Sequence, residues 1–187
     1  MPRAVFAPAD IRESLLQIYA ANDLMNQLLL ENLHPRAWRA RPPQVKPAGG
    51  RTIAAIFAHL HNCRLVWLKR SAPHLPCPKA LDPARCTLKQ AMAAHRRSGK
   101  ACLSMLKDAF SERLDRRVTR FSRGSWTRDW PAGATMFAYM FGHEAHHRGQ
   151  IIAQAHALGY RLPVHAAYGI WHWEKFWKQL GIAHGPR

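Results

Sequence analysis

His143 and His147 stand four residues apart in the string His143-Glu144-Ala145-His146-His147. On a helix, residues four apart lie about 40° from each other around the axis and one turn up, so both imidazoles share a face. Such a pair can hold one divalent ion, with Zn–N distances of about 2.0–2.1 Å. The same stripe carries Met136, Tyr139, Met140, Gln150, Ile151 and Leu158, and it reads as the buried stripe, with His146 on its flank. A lone histidine on an apolar face is ordinarily a core residue hydrogen-bonded to a carbonyl. Two in line bring extra ring nitrogens that each need a partner, and a metal satisfies one nitrogen of each at once.

A two-histidine site is incomplete. The segment Thr52 to Trp67 offers His59, His61 and Cys63 on a second helix. Its apolar stripe is Ile53, Ile56, Leu60, Cys63 and Trp67. His59 borders that stripe, roughly 60° from Ile56, whereas His61 is about 140° away and is predicted to face solvent. Cys63, one turn after His59, is placed to bring a thiolate near, although a small buried hydrophobe is the more usual role of such a cysteine. The predicted metal ligands are therefore His59, His143 and His147. Three neutral imidazoles leave the ion's charge uncompensated and a position open, which is the logic of a catalytic site. That position suits a water whose pKa falls toward about 7, or a substrate thiol held as thiolate. Tyr139, Glu144 and Gln150 are the candidate catalytic or orienting groups. Arg148 lies off the stripe, and an anion clamp and an exposed surface residue are both open for it.

Two motif readings compete. Read literally, His143-Glu144-x-x-His147 matches the H-E-x-x-H pattern, in which the glutamate is a peptidase's general base. Only three positions are fixed, however. The single later acid, Glu174, sits in an aromatic-rich segment, and no further histidine follows at the spacing a third ligand would need. The longer string His143-Glu-Ala-His-His147-Arg148-Gly149-Gln150-Ile151 resembles the last-helix signature of the DinB-like (damage-inducible) proteins, relatives of the YfiT-type proteins. Ile56-Phe-Ala-His59-Leu, followed by Trp67-Leu, resembles their second helix. The resemblance runs in outline from Asp10 to Gly159. It implies an all-α four-helix bundle with one divalent metal on His59, His143 and His147. It further implies a transferase or hydrolase acting on a small molecule, with thiol-dependent transfer and isomerisation among the family's chemistries. Zn, Ni, Fe and Mn all accept imidazole, so the ligand set does not choose the metal. The segment after Leu162 and the strong positive charge depart from the family's pattern.

The helices that must position these groups are visible in the periodicity. Asp10 to Leu33 repeats apolar residues at three- to four-residue steps, and Asp10 with Glu13 has capping-box spacing. Thr52 caps a second helix that runs to about Arg70. Thr87 and Gln90 open a third in capping-box spacing. The fourth runs from about Ala134 to Gly159, a C′ glycine. Val118 to Phe121 reads as a short extended piece. A last short helix follows Pro163, with Trp173, Phe176, Trp177 and Leu180 on one face. The predicted architecture is a four-helix bundle over residues 1–162, with residues 163–187 as an aromatic-rich helix packed on it. The long connections Pro35 to Arg51 and Pro73 to Cys86 require at least one crossover.

Composition bounds the rest. The 187 residues are 48% hydrophobic and 21% charged, which excludes wholesale disorder and fits one domain. Lys plus Arg is 28 against 11 acids, a formal net charge of +17, which favours anionic partners. Arg113, Arg116, Arg117, Arg120, Arg123 and Arg128 crowd together as a candidate phosphate-contacting patch. A nucleic-acid-binding bundle with a structural metal is thus the first rival reading, and an H-E-x-x-H peptidase the second. The four cysteines form no C-x-x-C pair, and no apolar stretch approaches the roughly 18 residues of a membrane span. A cytoplasmic protein is expected, with a small-molecule substrate that is anionic or a thiol, and with homodimer formation through the terminal aromatic face.

Overall fold

The computed structural model describes residues 10–41, 50–124 and 128–182. Residues 42–49 of the Pro- and Gly-rich stretch between the first two helices, and residues 183–187 of the terminal segment, lie outside the described residues. Four long helices dominate: α1 (Ile11–Asn32), α2 (Ile53–Ser71), α3 (Leu88–Phe110) and α4 (Ala134–Ala157). Thr52 begins α2 by accepting the N–H of Ala55. Thr87 and Gln90 begin α3 with both halves of a capping box, as their spacing predicts. Gly159, at φ 78°, closes α4. Its N–H bonds to His156 and that of Tyr160 to Ala155, a Schellman ending. Only α1 departs from expectation. Asp10 accepts from Arg12 rather than from Glu13, and Glu13 accepts from Gln17 instead of reaching back.

The core falls into two layers that fix the direction of each helix. One contains Leu29 and Leu30 of α1, Ile53 to Leu60 of α2, Ala91 of α3, and Ile151 and Ala155 of α4. The other contains Tyr19 of α1, Leu65, Trp67 and Leu68 of α2, Cys102, Met105 and Leu106 of α3, and Met136, Phe137 and Met140 of α4. Hence α1 and α4 run one way and α2 and α3 the other. Contacts join α1 to α3 and α4, and α2 to α3 and α4, so α1 lies diagonal to α2. The chain therefore crosses the bundle diagonally after α1 and again after α3. Between the parallel neighbours α2 and α3 it must return the full length of the bundle, which explains the length of the connection 72–87.

The second diagonal connection carries a two-residue ribbon, β1 (Arg120–Phe121) antiparallel to β2 (Trp130–Pro131), where an extended piece is expected. After Gly159 the chain forms α5 (Val164–Ala167), a 3₁₀ turn (Gly169–Trp171) and α6 (Trp173–Gln179), in place of one helix. These pack on α1, with Phe176 buried against Ala21 and Met25. No helix of the described residues is long and apolar enough to cross a membrane.

Candidate metal centre

Adjacent helices α2 and α4 present residues to each other at four-residue spacing: His59, Cys63 and Trp67 from one, Tyr139, His143 and His147 from the other. The three histidines predicted as ligands come together. Ring centroids lie 5.4 Å apart for His59 and His143, 4.8 Å for His59 and His147, and 4.6 Å for His143 and His147. Among the described residues, His59, Cys63 and His143 bring one donor atom each within 4.8 Å of one another, so Cys63 joins two of the three histidines there. Cys63 Sγ is 3.6 and 3.7 Å from the two ring nitrogens of His59. Its half-buried thiol, expected to be a packing residue, therefore belongs to the site.

The nitrogens are prepared for a cation. His143 Nδ1 is buried without a hydrogen-bond partner, an orphan that a metal would satisfy. His147 donates its Nδ1–H to Gln150 Oε1 at 2.7 Å, which leaves Nε2 with its lone pair. Gln150 Nε2 donates in turn to His146 Nε2 at 3.0 Å. Burial pushes the pKa of His59 and of His143 down to about 4, with the neighbouring histidines adding to it. Burial also lowers His147, against the Gln150 hydrogen bond. All three are neutral near pH 7, as metal ligands must be.

Aromatic rings wall one side. Tyr139 stacks on His143 at 6.0 Å and 12°, and Trp67 meets His143 edge-on at 5.5 Å. Phe121 and Trp130 of the ribbon pack against Tyr139, and the Arg123 guanidinium lies 3.2 Å from the Trp130 ring centre. Arg51, just before α2, is close enough for its charge to disfavour protonation of His59 and His147. The site thus has an apolar wall and a cationic rim.

Glu144 points elsewhere. It is fully buried, neither facing solvent nor turned to the histidines. Its carboxylate accepts from Tyr19 Oη, Asn22 Nδ2, Asn26 Nδ2 and Arg64 Nε and Nη2, at 2.6–3.1 Å. Arg64, also fully buried, places Nη1 2.9 Å from Asp23 Oδ1. Its charge and hydrogen bonds hold the Glu144 carboxyl down at about 2 against desolvation. Arg148 is buried as well, with Nη1 donating to Asn22 and Asn26 Oδ1. The buried stripe of α4 is therefore turned by about 60° from the one expected, toward Glu144 and Arg148. Tyr139, His143 and Gln150 stand at its margin, which is why the site is reachable. The signal for this network was present in the sequence, since Tyr19, Asn22 and Asn26 recur at helical spacing and Arg64 interrupts an apolar stripe.

His61 is a second correction. It is fully buried, because the returning 72–87 connection lies over its face of α2. Its Nε2 donates to the Lys79 carbonyl at 2.9 Å, and Nδ1 contacts Ser98 Oγ at 3.0 Å. The arginine cluster is partly spoken for. Arg113 pairs with Asp115, Arg120 with Asp129, and Arg116 donates to the Ala109 carbonyl.

A family model, that of the DinB superfamily, matches residues 17–151, from α1 to the last turns of α4. No curated protein and no solved structure matches the chain.

Proposed function

The chain belongs to the DinB superfamily, and on that premise we propose that it is a metal-dependent transferase or hydrolase acting on a small, anionic molecule. One divalent ion would be held by His59, His143 and His147, with Cys63 in reach as a further donor. The observation that carries this reading is the convergence of three neutral imidazoles beside an orphaned His143 Nδ1. Such an ion would supply Lewis acidity to a bound oxygen or sulfur.

The remaining work falls to the chain's own residues. Gln150 fixes the tautomer and orientation of His147. Tyr139 and Trp67 pack on His143 and exclude water from one side, which strengthens electrostatic interactions there. Arg51 biases the entrance toward anions. Glu144 is committed to five hydrogen bonds inside the bundle, and this disfavours the peptidase reading, whose general base must reach a metal-bound water. The acid partners of Arg113 and Arg120 weaken the nucleic-acid reading.

The test is a screen of metal-loaded protein with small thiols paired with electrophiles, and with simple esters and amides. Turnover that disappears on chelation and in His143→Ala supports the reading. Turnover that survives both contradicts it.

A further inference from the structure

A cavity of about 830 Å³ opens on the opposite side of α4 from the histidines. Its α4 lining includes Ala145, Arg148, Gly149 and Ile152, centred about 180° around the helix from His143. Met25 of α1 lies beside them, and the far wall is the terminal segment, with Tyr168, Trp171 and Trp173. The volume is in the range of ligand pockets, about 300–1,000 Å³. The site therefore exists because of the segment beyond the family match, which ends at residue 151.

Charge says what fits it. Arg148, Arg161 and His156 line the cavity, and among the described residues no aspartate or glutamate does. Arg148 is 5% exposed, and its only hydrogen bonds among the described residues run from Nη1 to two neutral asparagines. The Nε and Nη2 edge of that guanidinium has no partner there. Arg64 has Glu144 and Asp23 as counterions, but Arg148 is in no ion pair among the described residues. Burial lowers its pKa, and the Glu144 carboxylate offsets this only through space, without a hydrogen bond to it. An anion seated in the cavity would give Arg148 a directly hydrogen-bonded acid, and the aromatic wall would cover an apolar body.

We infer that this cavity binds a free small organic anion, a carboxylate or sulfonate on an apolar body of two or three rings, with its acidic group on Arg148. It is a second site, separated from the metal centre by the thickness of α4. Arg148 would meet the acid as a planar fork, Arg161 would add charge at the rim, and Trp171, 71% exposed, would close over the rings.

The probe is 1-anilinonaphthalene-8-sulfonate, titrated into the full chain by fluorescence and calorimetry beside its uncharged analogue N-phenyl-1-naphthylamine. The expected result is one site per chain, with the sulfonate binding at least about tenfold tighter, as a hydrogen-bonded buried charge pair implies. Gly149→Phe tests the location. Gly149 lines the cavity and an added Cβ there meets nothing within 4 Å, so a larger side chain starts into open space on that side. Binding should be lost while the thermal midpoint and metal content stay, and Gly149→Leu should weaken it with less bulk. Arg161→Gln should weaken binding by about threefold, the size expected for a half-screened charge. Equal affinity for the neutral analogue, or binding untouched by both Gly149 variants, overturns the proposal. So does absence of binding, including the case in which sedimentation shows a second copy covering the cavity.

Discussion

Replacing Glu144 by alanine should unfold the protein far more readily while saying little about chemistry. Five donors converge on this carboxylate, two of them from Arg64, and both side chains are fully buried. Removing one partner of a buried pair strands the other charge and costs about 3–5 kcal/mol. Against a total stability of about 5–15 kcal/mol, that is a large fraction. With a urea m-value of about 2–3 kcal/mol/M, the midpoint should fall by roughly 1–2.5 M. Glu144→Gln keeps the shape but turns an amide NH₂ toward donors, so it should also lose stability, and its folded fraction should keep its metal. Adding Arg64→Met to Glu144→Ala should cost less than the sum of the single changes, because both singles break the same Arg64–Glu144 contacts, although the double variant still leaves Asp23 without Arg64. The assay is urea unfolding followed by circular dichroism, with metal content measured on the same samples. A Glu144→Ala protein with the wild-type midpoint would refute the buried-pair argument. If it also lost turnover while keeping its metal, the general-base role would be restored.

Three further outcomes follow from particular contacts. His95 is fully buried, with its pKa pushed down to about 3 by desolvation and by Arg64, whereas in the unfolded chain it titrates near 6.5. The unfolded state therefore takes up the proton first as pH falls, and stability drops below about pH 6.5. Between pH 7 and pH 5 this one residue should account for about 2 kcal/mol, absent in a folded His95→Gln protein; an equal pH dependence in both would contradict it. A Cβ at Gly99 would sit 2.2–2.4 Å from the Asp23 carboxyl atoms, which contact Arg64. Gly99→Ala should cost about 1–3 kcal/mol despite better helix propensity, and a stabilised variant would show that α1 and α3 do not need this close approach. Gln150→Ala frees the His147 Nδ1 hydrogen bond and should weaken metal affinity by about 10–100-fold, read by competition with a chelating dye; unchanged affinity would deny Gln150 its orienting role.

Much of the site was legible because helical spacing is rigid. His143 and His147 had to share a face, and His59 bordered the stripe of Ile53, Ile56, Leu60, Cys63 and Trp67 on its helix. Thr52, Thr87 and Gly159 marked helix ends by local hydrogen-bond chemistry, which needs no tertiary context. Glu144 and Arg148 were misplaced because a periodicity argument puts charge outside. Only the presence of Arg64 and two asparagines on neighbouring helices makes their burial tolerable. His61 was misplaced because the chain that covers it is an irregular loop, and nothing in α2 itself announces a returning connection. Cys63 was passed over because a lone cysteine on a stripe is ordinarily packing; its neighbour His59 mattered only once α4 brought His143 beside them. The cavity depends on where the terminal segment docks, a tertiary fact with no signature beyond its cluster of aromatics.

The central claim is that His59, His143 and His147 hold one divalent ion, and metal analysis tests it most directly. The protein, purified without added metal and then equilibrated with an equal concentration of Zn, Ni, Fe or Mn and desalted, should retain about one ion per chain of at least one of them. His59→Ala and His147→Ala, each checked for native circular dichroism, should retain well under a full equivalent. Full, unchanged stoichiometry in both variants would contradict the three-histidine site.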